Sequence, residues 1–324
     1  MAFQFIEFQK TRDFSNKMNA TFEFVKQNFK PLFRVMLYIV GPPALIVSLL
    51  LGTLMTDYMK AIFGMTSGRS NITDMLTIDL AIKVVLAVAV GTITSVISVA
   101  AINGYVVLYR EKQSNQIEVE EVWDYVKKTF WLYFWSMLGF VALAIVAYGI
   151  LLIPSVALFS AVPVLAVFAV FGVMGLFAYL LVANSLVLIV RGFEPTGFFE
   201  SFSRSMFLTR GKWWSTFGLS LILYLIVSVT SSVFFMPWYF SKIVSSLHNI
   251  KNGNGMDLST DWFGIISTAF QYLASYLLSV LVQVGLIFQY FNLVERKESR
   301  GLMEKMGGLG TGEVAPTNTQ TEHY

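Results

Sequence analysis

Cysteine is absent from this chain of 324 residues, and histidine occurs only twice, as His248 and His323. Without cysteine, neither a disulfide nor a thiolate metal site can form. Both histidines fall in polar stretches, so we expect no histidine metal site either. The phosphate-binding motifs GxxxxGK(S/T) and GxGxxG are also missing, which leaves nucleotide binding unsupported. We therefore predict no metal, no cofactor and no nucleic-acid partner.

Charged residues are scarce as well. They make up 13% of the chain, while 56% of the residues are hydrophobic; soluble domains have about 25% charged residues. Several apolar runs reach the length of about 20 residues that a transmembrane helix needs. The sequence therefore predicts an all-α integral membrane protein with six transmembrane helices. The predicted spans are residues 32–54, 80–105, 130–153, 162–190, 213–239 and 263–293, which together form one membrane domain over 32–293. We predict that Gly41-Pro42-Pro43 kinks or breaks span one near mid-depth. After span five, we predict a polar loop over residues 241–261.

The predicted membrane domain has a polar segment on either side. Residues 1–31 form an N-terminal segment, and residues 294–324 form a tail that we predict to be largely disordered from about Gly307, because it is rich in Gly, Thr, Asn and Gln. Within 13–30, apolar residues recur at helical spacing on one face, and Lys17 lies largely off that face. The apolar positions are Phe14, Met18, Phe22, Val25 and Phe29. This pattern is typical of a helix lying in the lipid headgroup region; a helix packed on other cytoplasmic segments is the alternative.

Similar segments precede spans three and five, at 110–128 and 191–212. The sequence 123–130 aligns with 22–29, so that an aromatic residue, an acid, a second aromatic residue, a valine, a lysine and a final phenylalanine coincide. We interpret this match as an internal repeat. The predicted architecture is three transmembrane hairpins, each preceded by a cytoplasmic amphipathic interfacial helix.

Basic residues are distributed very unequally. Eighteen of the 23 Lys and Arg residues fall in the N-terminal segment, after span two, after span four and in the tail. Cytoplasmic loops carry an excess of Lys and Arg. We therefore expect six spans with both termini in the cytoplasm.

Two polar features near or within the spans are candidate functional sites. Asp79 and Lys83 lie four residues apart near the outer end of span two, where they form either a substrate or ion contact or an interfacial anchor. Span six has a polar residue at every fourth position, a pattern that we call the polar stripe. Its members are Ser267, Gln271, Ser275, Ser279 and Gln283. The polar stripe either lines a polar cleft or hydrogen-bonds to neighbouring helices.

The ten residues 205–214 read SMFLTRGKWW and form a candidate interfacial motif. Its members are Ser205, Leu208, Thr209, Arg210, Gly211, Trp213 and Trp214. The run resembles a bacterial family in which a surface helix ends in Ser-x-x-Leu-Thr-(Arg/Lys)-Gly-x-x-Trp before the fifth span. That family is the membrane domain attached to some glycerophosphoryl diester phosphodiesterases, which also occurs as stand-alone proteins. The TIM-barrel catalytic domain has no counterpart here, so the resemblance implies a membrane module without the enzyme, in a bacterial cytoplasmic membrane.

These observations favour a non-enzymatic function. No acidic residue falls at the centre of a predicted span, and no nucleophile with a matched base is apparent. We expect a scaffold or accessory subunit that contacts membrane lipids and either a protein partner or further copies of itself. The alternative is a transporter or permease component for a lipid or small amphiphile, which would use the kinked first span and the polar stripe.

Overall fold

The computed structural model describes residues 4–66, 77–161, 163–251 and 262–299, together with Met303 and Met306. Every regular element in these ranges is helical. The elements are α1 (Phe14–Gln27), α2 (Phe29–Val35), a π-helical turn (Met36–Val40), α3 (Gly41–Thr66), α4 (Ile78–Lys112), α5 (Val119–Ala161), α6 (Pro163–Ala183), α7 (Val187–Phe193), α8 (Phe198–Thr209), α9 (Trp213–Ser232), α10 (Met236–Lys251) and α11 (Trp262–Glu298). The predicted disordered tail from Gly307 lies outside the described residues.

Six helical stretches are long and apolar enough to cross a membrane. They are Phe29–Met59, Ile78–Lys112, Val119–Ala147, Val170–Phe193, Trp213–Ser232 and Trp262–Glu298. The prediction of six spans is confirmed by the length and composition of these helices, and the chain is a multi-pass membrane protein. Several of these helices exceed the apolar layer: α4 is about 52 Å long, whereas the hydrocarbon core measures about 30 Å.

Span one remains helical where the sequence predicts a kink or a break, at Gly41-Pro42-Pro43. Instead, the turn just before these residues is π-helical, and the Gly41 N–H donates to the Met36 carbonyl five residues back. Proline removes the donor that a carbonyl four residues earlier would accept. The wider turn accommodates this loss locally, and the helix continues past the predicted end of the span at Leu54.

Span four is interrupted near its end. The helix α6 stops at Ala183, and α7 starts at Val187. Between them, Asn184 Nδ2 donates to the Leu180 carbonyl and Ser185 Oγ to the Val182 carbonyl, both at 2.8 Å. Such side-chain bonds to the local backbone compete with regular helix geometry.

Span five ends seven residues before its predicted limit. Its helix α9 stops at Ser232, and a further helix, α10, occupies Met236–Lys251. The prediction of a polar loop from Ser241 is therefore wrong over the residues of α10. Pro237 is in the first turn of α10, where a missing N–H costs little.

The predicted surface segments form different elements. The first and third contain separate helices, α1 and α8, whereas the second forms the opening turns of α5 and runs without a break into span three. No glycine or proline interrupts residues 119–130, so the helix has no local reason to stop. In the first segment, α1 ends at Asn28, whose side chain donates to the Phe24 carbonyl and accepts from the Tyr105 hydroxyl.

Span six, α11, is the central helix of the bundle. It packs most extensively against α3 and α9, and α1 packs on it as well. From Val280 to Glu295 every residue except Gln283 is buried. The contact with α3 is close enough that a Cβ on Gly52 would lie 2.6 Å from the Ile265 carbonyl oxygen. Small residues at helix crossings in membranes permit this approach.

Candidate functional site

The N-terminal segment and helices α1 and α8 are fixed to the C-terminal half of α11. We call residues 4–13, α1, α8 and residues 284–298 of α11 the platform. The platform lies at one end of the helix bundle, together with the connections 113–118 and 194–197. We call this end of the bundle the basic end. Hydrogen bonds and ion pairs join distant parts of the chain in the platform, and it is the candidate functional site.

The N-terminal segment packs directly on span six. The Phe8 ring, only 2% exposed, stacks on Phe288 with the ring centroids 4.5 Å apart. The Arg12 backbone N–H donates to Asn292 Oδ1 at 2.7 Å. The Ile6 N–H donates to the Tyr109 hydroxyl of α4 at 2.9 Å. These contacts hold an extended segment, which has no regular structure of its own, in a fixed position.

A buried lysine joins α1 to spans five and six. Lys17 is 2% exposed, and its Nζ donates to Gln289 Oε1 at 2.6 Å and to Ser215 Oγ at 2.9 Å. Gln289 Nε2 in turn donates to Thr216 Oγ1 at 2.9 Å. Burial, together with the smaller effect of the neighbouring positive charge of Arg296, lowers the pKa of Lys17 to about 8. We did not predict this buried cation from the sequence.

The two faces of α1 explain why Lys17 was missed. The sequence pattern correctly separates Lys17 from the apolar face, but it does not indicate what the opposite face contacts. In the structure the face with Lys17, Thr21 and Phe24 is buried against the protein. Three members of the predicted apolar face, Phe14, Phe22 and Phe29, are exposed instead. The sequence clue was the pair Lys17 and Thr21, two polar residues on the face that contains the fully buried Phe24.

An arginine bridges two acidic residues at the junction of α8 and α11. Arg204 forms ion pairs with Glu194, at 3.0 Å, and with Glu298. The Tyr290 hydroxyl also donates to Glu194 Oε1 at 2.8 Å. The hydrogen bond with Glu298 raises the pKa of Arg204 above its ordinary value, so the guanidinium is charged at every accessible pH. This network fixes the position of α8 relative to span six.

The interfacial motif has a defined structural role. Ser205 Oγ donates to the Ala183 carbonyl at the end of α6 at 2.7 Å, and Thr209 Oγ1 donates to the Ser205 carbonyl at 2.9 Å. Leu208 is completely buried. Gly211 has φ +81°, a left-handed conformation that glycine adopts without strain.

The two tryptophans of the motif differ in their surroundings. Trp213 Nε1 donates to the Tyr179 carbonyl at 3.1 Å, and the Trp213 and Tyr179 rings stack with centroids 5.5 Å apart. Trp214 is 77% exposed. Arg210 is exposed too, and its carbonyl accepts from Lys297 Nζ at 3.3 Å, which helps to satisfy the end of α8.

The Asp79–Lys83 pair is present in the structure and includes a third member. Lys83 Nζ lies 2.6 Å from Asp79 Oδ2 and 2.9 Å from Asp57 Oδ2. Asp57 belongs to α3, so the lysine bridges spans one and two at the end of the bundle opposite the platform. The three side chains are partly or largely exposed, as an interfacial anchor would be.

The structure places the polar stripe on the half of span six away from the platform. Ser267 is buried, whereas the other four members are half-buried. Ser275 Oγ donates to the Gln271 carbonyl at 3.0 Å and Ser279 Oγ to the Tyr276 carbonyl at 2.7 Å, so both hydroxyls bond to the backbone of their own helix. The hydroxyls of Ser275 and Ser279 therefore donate within span six itself.

A second buried network, between spans two and three, was also not predicted. Asn103 Nδ2 donates to the Tyr133 hydroxyl at 2.9 Å. A Cβ on Gly192 would lie 2.1 Å from that hydroxyl, so α7 approaches the pair closely. Arg191 Nε donates to Ser136 Oγ at 3.3 Å beside it.

The chemistry available to these clusters is restricted. Over the described ranges, no group of three or more His, Cys, Asp or Glu side chains is placed to hold a metal ion. Buried carboxylates such as Glu194 are paired with cations at the basic end. The arrangement positions helices and presents a charged surface.

No curated protein and no solved structure matches the chain significantly. One family model, described as a domain of unknown function, DUF7847, matches residues 34–293. This match extends from the first span to the end of the sixth and includes α8 with its motif. The chain therefore belongs to the DUF7847 family.

Proposed function

We propose that this chain is a non-enzymatic scaffold or accessory subunit of a membrane complex, with its platform in the cytoplasm of a bacterial cell. The observation that carries the proposal is the platform itself. Residues 4–13, α1 and α8 reach α11 from different parts of the chain, and Lys17, Arg204 and Asn292 tie them to it by hydrogen bonds and ion pairs. A surface held in one shape loses little conformational freedom when a partner binds.

The fixed platform also supports the choice between the two functions considered. A transporter needs groups of spans that move relative to each other. Here Lys17 and Gln289 join α1 to span six, Gln289 and Thr216 join span six to span five, and Arg204 joins α8 to span six. Motion of span six would have to break several buried polar contacts at once.

The charge and the exposed residues support an orientation with the platform in the cytoplasm. Lys26, Lys30 and Lys128 are exposed at the basic end, which agrees with the excess of basic residues expected on the cytoplasmic side. Phe22 of α1 and Phe29, the first residue of α2, are 40% and 58% exposed and can enter the apolar edge of the headgroup region. We propose that α1 and α8 are interfacial helices and that the remaining lysines present a basic surface to an acidic partner protein.

The proposed three-hairpin repeat has support from side-chain exposure. Phe22 and Trp123, which align in the two copies, are 40% and 42% exposed. Lys26 and Lys127 are exposed in both copies as well. The resemblance of residues 205–214 to the membrane domain of the phosphodiesterases fits a module that positions other proteins at the membrane.

The proposal can be tested by site-specific photo-crosslinking in the native membrane. A photoreactive phenylalanine analogue replaces Lys26 on the platform or, as the control, Ile78 at the opposite end, which is 82% exposed. We expect a protein adduct of discrete mass from position 26 and lipid adducts alone from position 78. Lipid adducts alone at both positions would contradict a platform that binds a protein.

The alternative function, transport of a lipid or small amphiphile, rests on the half-buried polar stripe. Gln271 and Gln283 lie on the part of span six that is less completely enclosed than residues 284–295. Replacing Gln271, Ser275, Ser279 and Gln283 together with leucine or alanine tests this function. Loss of a transport phenotype at normal abundance would favour transport, and an unchanged phenotype at normal abundance would favour the scaffold.

A further inference from the structure

The helix of span five, α9, begins without a cap. It starts at Trp213, directly after the exposed turn 210–212, and no side chain accepts a hydrogen bond from its first turn. The backbone N–H groups of Trp213, Trp214 and Ser215 have no acceptor among the described residues. Such N–H groups point back along the helix axis and carry partial positive charge. This end of α9 is therefore suited to an anion.

The exposed side chains at this helix end are basic. The residue in the cap position is Lys212, and Arg210 precedes it by two positions; both are exposed. Cap residues usually supply an oxygen that accepts from the first N–H groups, but an ammonium group has no acceptor. Over the described ranges, neither Lys212 nor Arg210 forms an ion pair with a carboxylate. Both cations are therefore available to a ligand.

A buried cation lies beneath the same helix end. The Lys17 ammonium donates to Ser215 Oγ, in the first turn of α9, at 2.9 Å. Its other partner, Gln289, is also neutral. The ammonium has one more N–H donor than these two partners accept, and it forms no ion pair with any carboxylate that the structure describes. Lys17 is 2% exposed, so it contributes an uncompensated charge from below and not a surface contact.

Positive charge outweighs negative charge around Lys17. Burial, followed by the positive charges of Arg296 and Lys212, lowers the pKa of Lys17, while Asp13 raises it by less than either cation lowers it. Asp13 Oδ1 accepts from the Asn16 N–H at 2.8 Å and so caps α1. The cations thus lie within range of each other's fields at the positive end of a helix. Cations at a helix N-terminus are unfavourable, and a bound anion would relieve this repulsion.

The start of α9 lies at the membrane surface and faces lipid. Trp213 is the first residue of the fifth apolar stretch, and the turn before it is charged. Tryptophan side chains concentrate at the level of the headgroups. Trp214 is 77% exposed, and Leu221 and Leu225, which share its face of the helix, are 44% and 54% exposed. A lipid molecule beside this face would have its headgroup next to the uncapped N–H groups.

We propose that the start of span five binds the phosphate group of an anionic membrane lipid, such as phosphatidylglycerol. The phosphate accepts hydrogen bonds from the N–H groups of α9 and from the side chains of Arg210 and Lys212. The acyl chains lie along the face of α9 that contains Trp214. Lys17 adds attraction through its charge without touching the lipid. This site does not depend on the scaffold function, since the lipid binds whether or not a protein partner is present.

Lipid titration of the full-length protein tests the site. Phosphatidylglycerol or phosphatidylcholine is added to the protein in detergent, and the first bound lipid is quantified by native mass spectrometry. We expect tighter binding of phosphatidylglycerol. Lys212→Gln should weaken this binding by about tenfold, because a hydrogen bond to a charged group contributes roughly that factor. The matched control is Lys30→Gln, which removes the same charge from an exposed lysine at the beginning of span one and should leave binding unchanged.

A second substitution distinguishes the helix end from a general basic surface. In Lys212→Asp, the new carboxylate can cap α9 itself and repels a phosphate. We expect this variant to lose its preference for phosphatidylglycerol and, in detergent without added lipid, to unfold at a higher temperature than Lys212→Gln. A merely structural role for Lys212 predicts the opposite order of the two unfolding temperatures.

Four outcomes would overturn the proposal. Equal affinity for the two lipids would show that the net charge of the lipid is not recognised. Equal weakening by Lys212→Gln and Lys30→Gln would show that position does not matter. Displacement of the bound lipid by inorganic phosphate would assign the site to a free anion. A discrete protein adduct from a photoreactive phenylalanine analogue at position 214, in the native membrane, would assign this surface to an acidic protein.

Discussion

Replacing Gly52 with alanine tests the close contact between spans one and six. The new Cβ would lie 2.6 Å from the Ile265 carbonyl oxygen and 3.4 Å from its carbonyl carbon. Both atoms belong to the backbone of α11, so no side-chain rotation relieves the overlap and the two helices must separate. Overpacking of this kind costs about 1–3 kcal/mol, and the better helix propensity of alanine offsets about 1 kcal/mol of that.

Two other glycines provide a graded comparison. A Cβ on Gly285 would meet Leu223 Cδ1 at 2.2 Å, but this atom is the far end of a flexible side chain. A Cβ on Gly172 in span four would meet nothing within 4 Å. We therefore expect Gly52→Ala to be the most destabilising, Gly285→Ala intermediate, and Gly172→Ala neutral or slightly stabilising.

The assay is the temperature at which each purified variant loses its monodisperse peak in fluorescence-detected size-exclusion chromatography. All three substitutions are glycine to alanine, so differences between the midpoints reflect the surroundings of each position. The result to compare is therefore the order of the three midpoints. A midpoint for Gly52→Ala equal to or above that of Gly172→Ala would refute the packing of α3 on α11 described above.

Three further predictions concern the platform and the orientation. Gly211→Ala should destabilise the protein by about 1 kcal/mol, because residue 211 has a positive φ. Gly197→Ala should not destabilise it, because residue 197 has φ −70° and open space around it. The thermal unfolding midpoints of the two variants test this difference. Lys17 has a pKa of about 8 in the folded protein, whereas in the unfolded chain it keeps its proton up to about pH 10.4. Thermal stability should therefore rise between about pH 8 and pH 10.4, by at most about 3 kcal/mol, and Lys17→Met should lose this rise. In intact cells a membrane-impermeant maleimide should label Thr77→Cys and leave Lys10→Cys unlabelled until the membrane is opened, since the chain has no other thiol; the reverse pattern would invert the proposed topology.

The number of spans could be predicted from the sequence because it depends on length and hydropathy alone. The helix boundaries within and between the spans could not be predicted in the same way, because they depend on local contacts that hydropathy does not measure. The sequence predicts a kink or a break at Gly41-Pro42-Pro43, and the structure has no break there, because a π-helical turn accommodates the missing donors. It predicts a polar loop after Ser241, but α10 occupies its first part.

The buried polar contacts could not be predicted for a different reason. Lys17 has its partners, Ser215 and Gln289, about 200 and 270 positions along the chain. Periodicity can tell which face of α1 is apolar, but it cannot tell that the opposite face meets a glutamine of span six. The sequence indicates an interfacial motif at residues 205–214, but the hydrogen bond from Ser205 to the Ala183 carbonyl can be identified only when the positions of both helices are known.

The most direct test of the scaffold function is the intact mass of the native complex. The chain, tagged at one terminus, is extracted from its own membrane with a mild detergent and measured by native mass spectrometry, with co-purified proteins identified in parallel. We predict a discrete assembly that contains a second protein, or several copies of this chain, in fixed stoichiometry. A lone monomer of about 36.4 kDa that retains only lipid would contradict it.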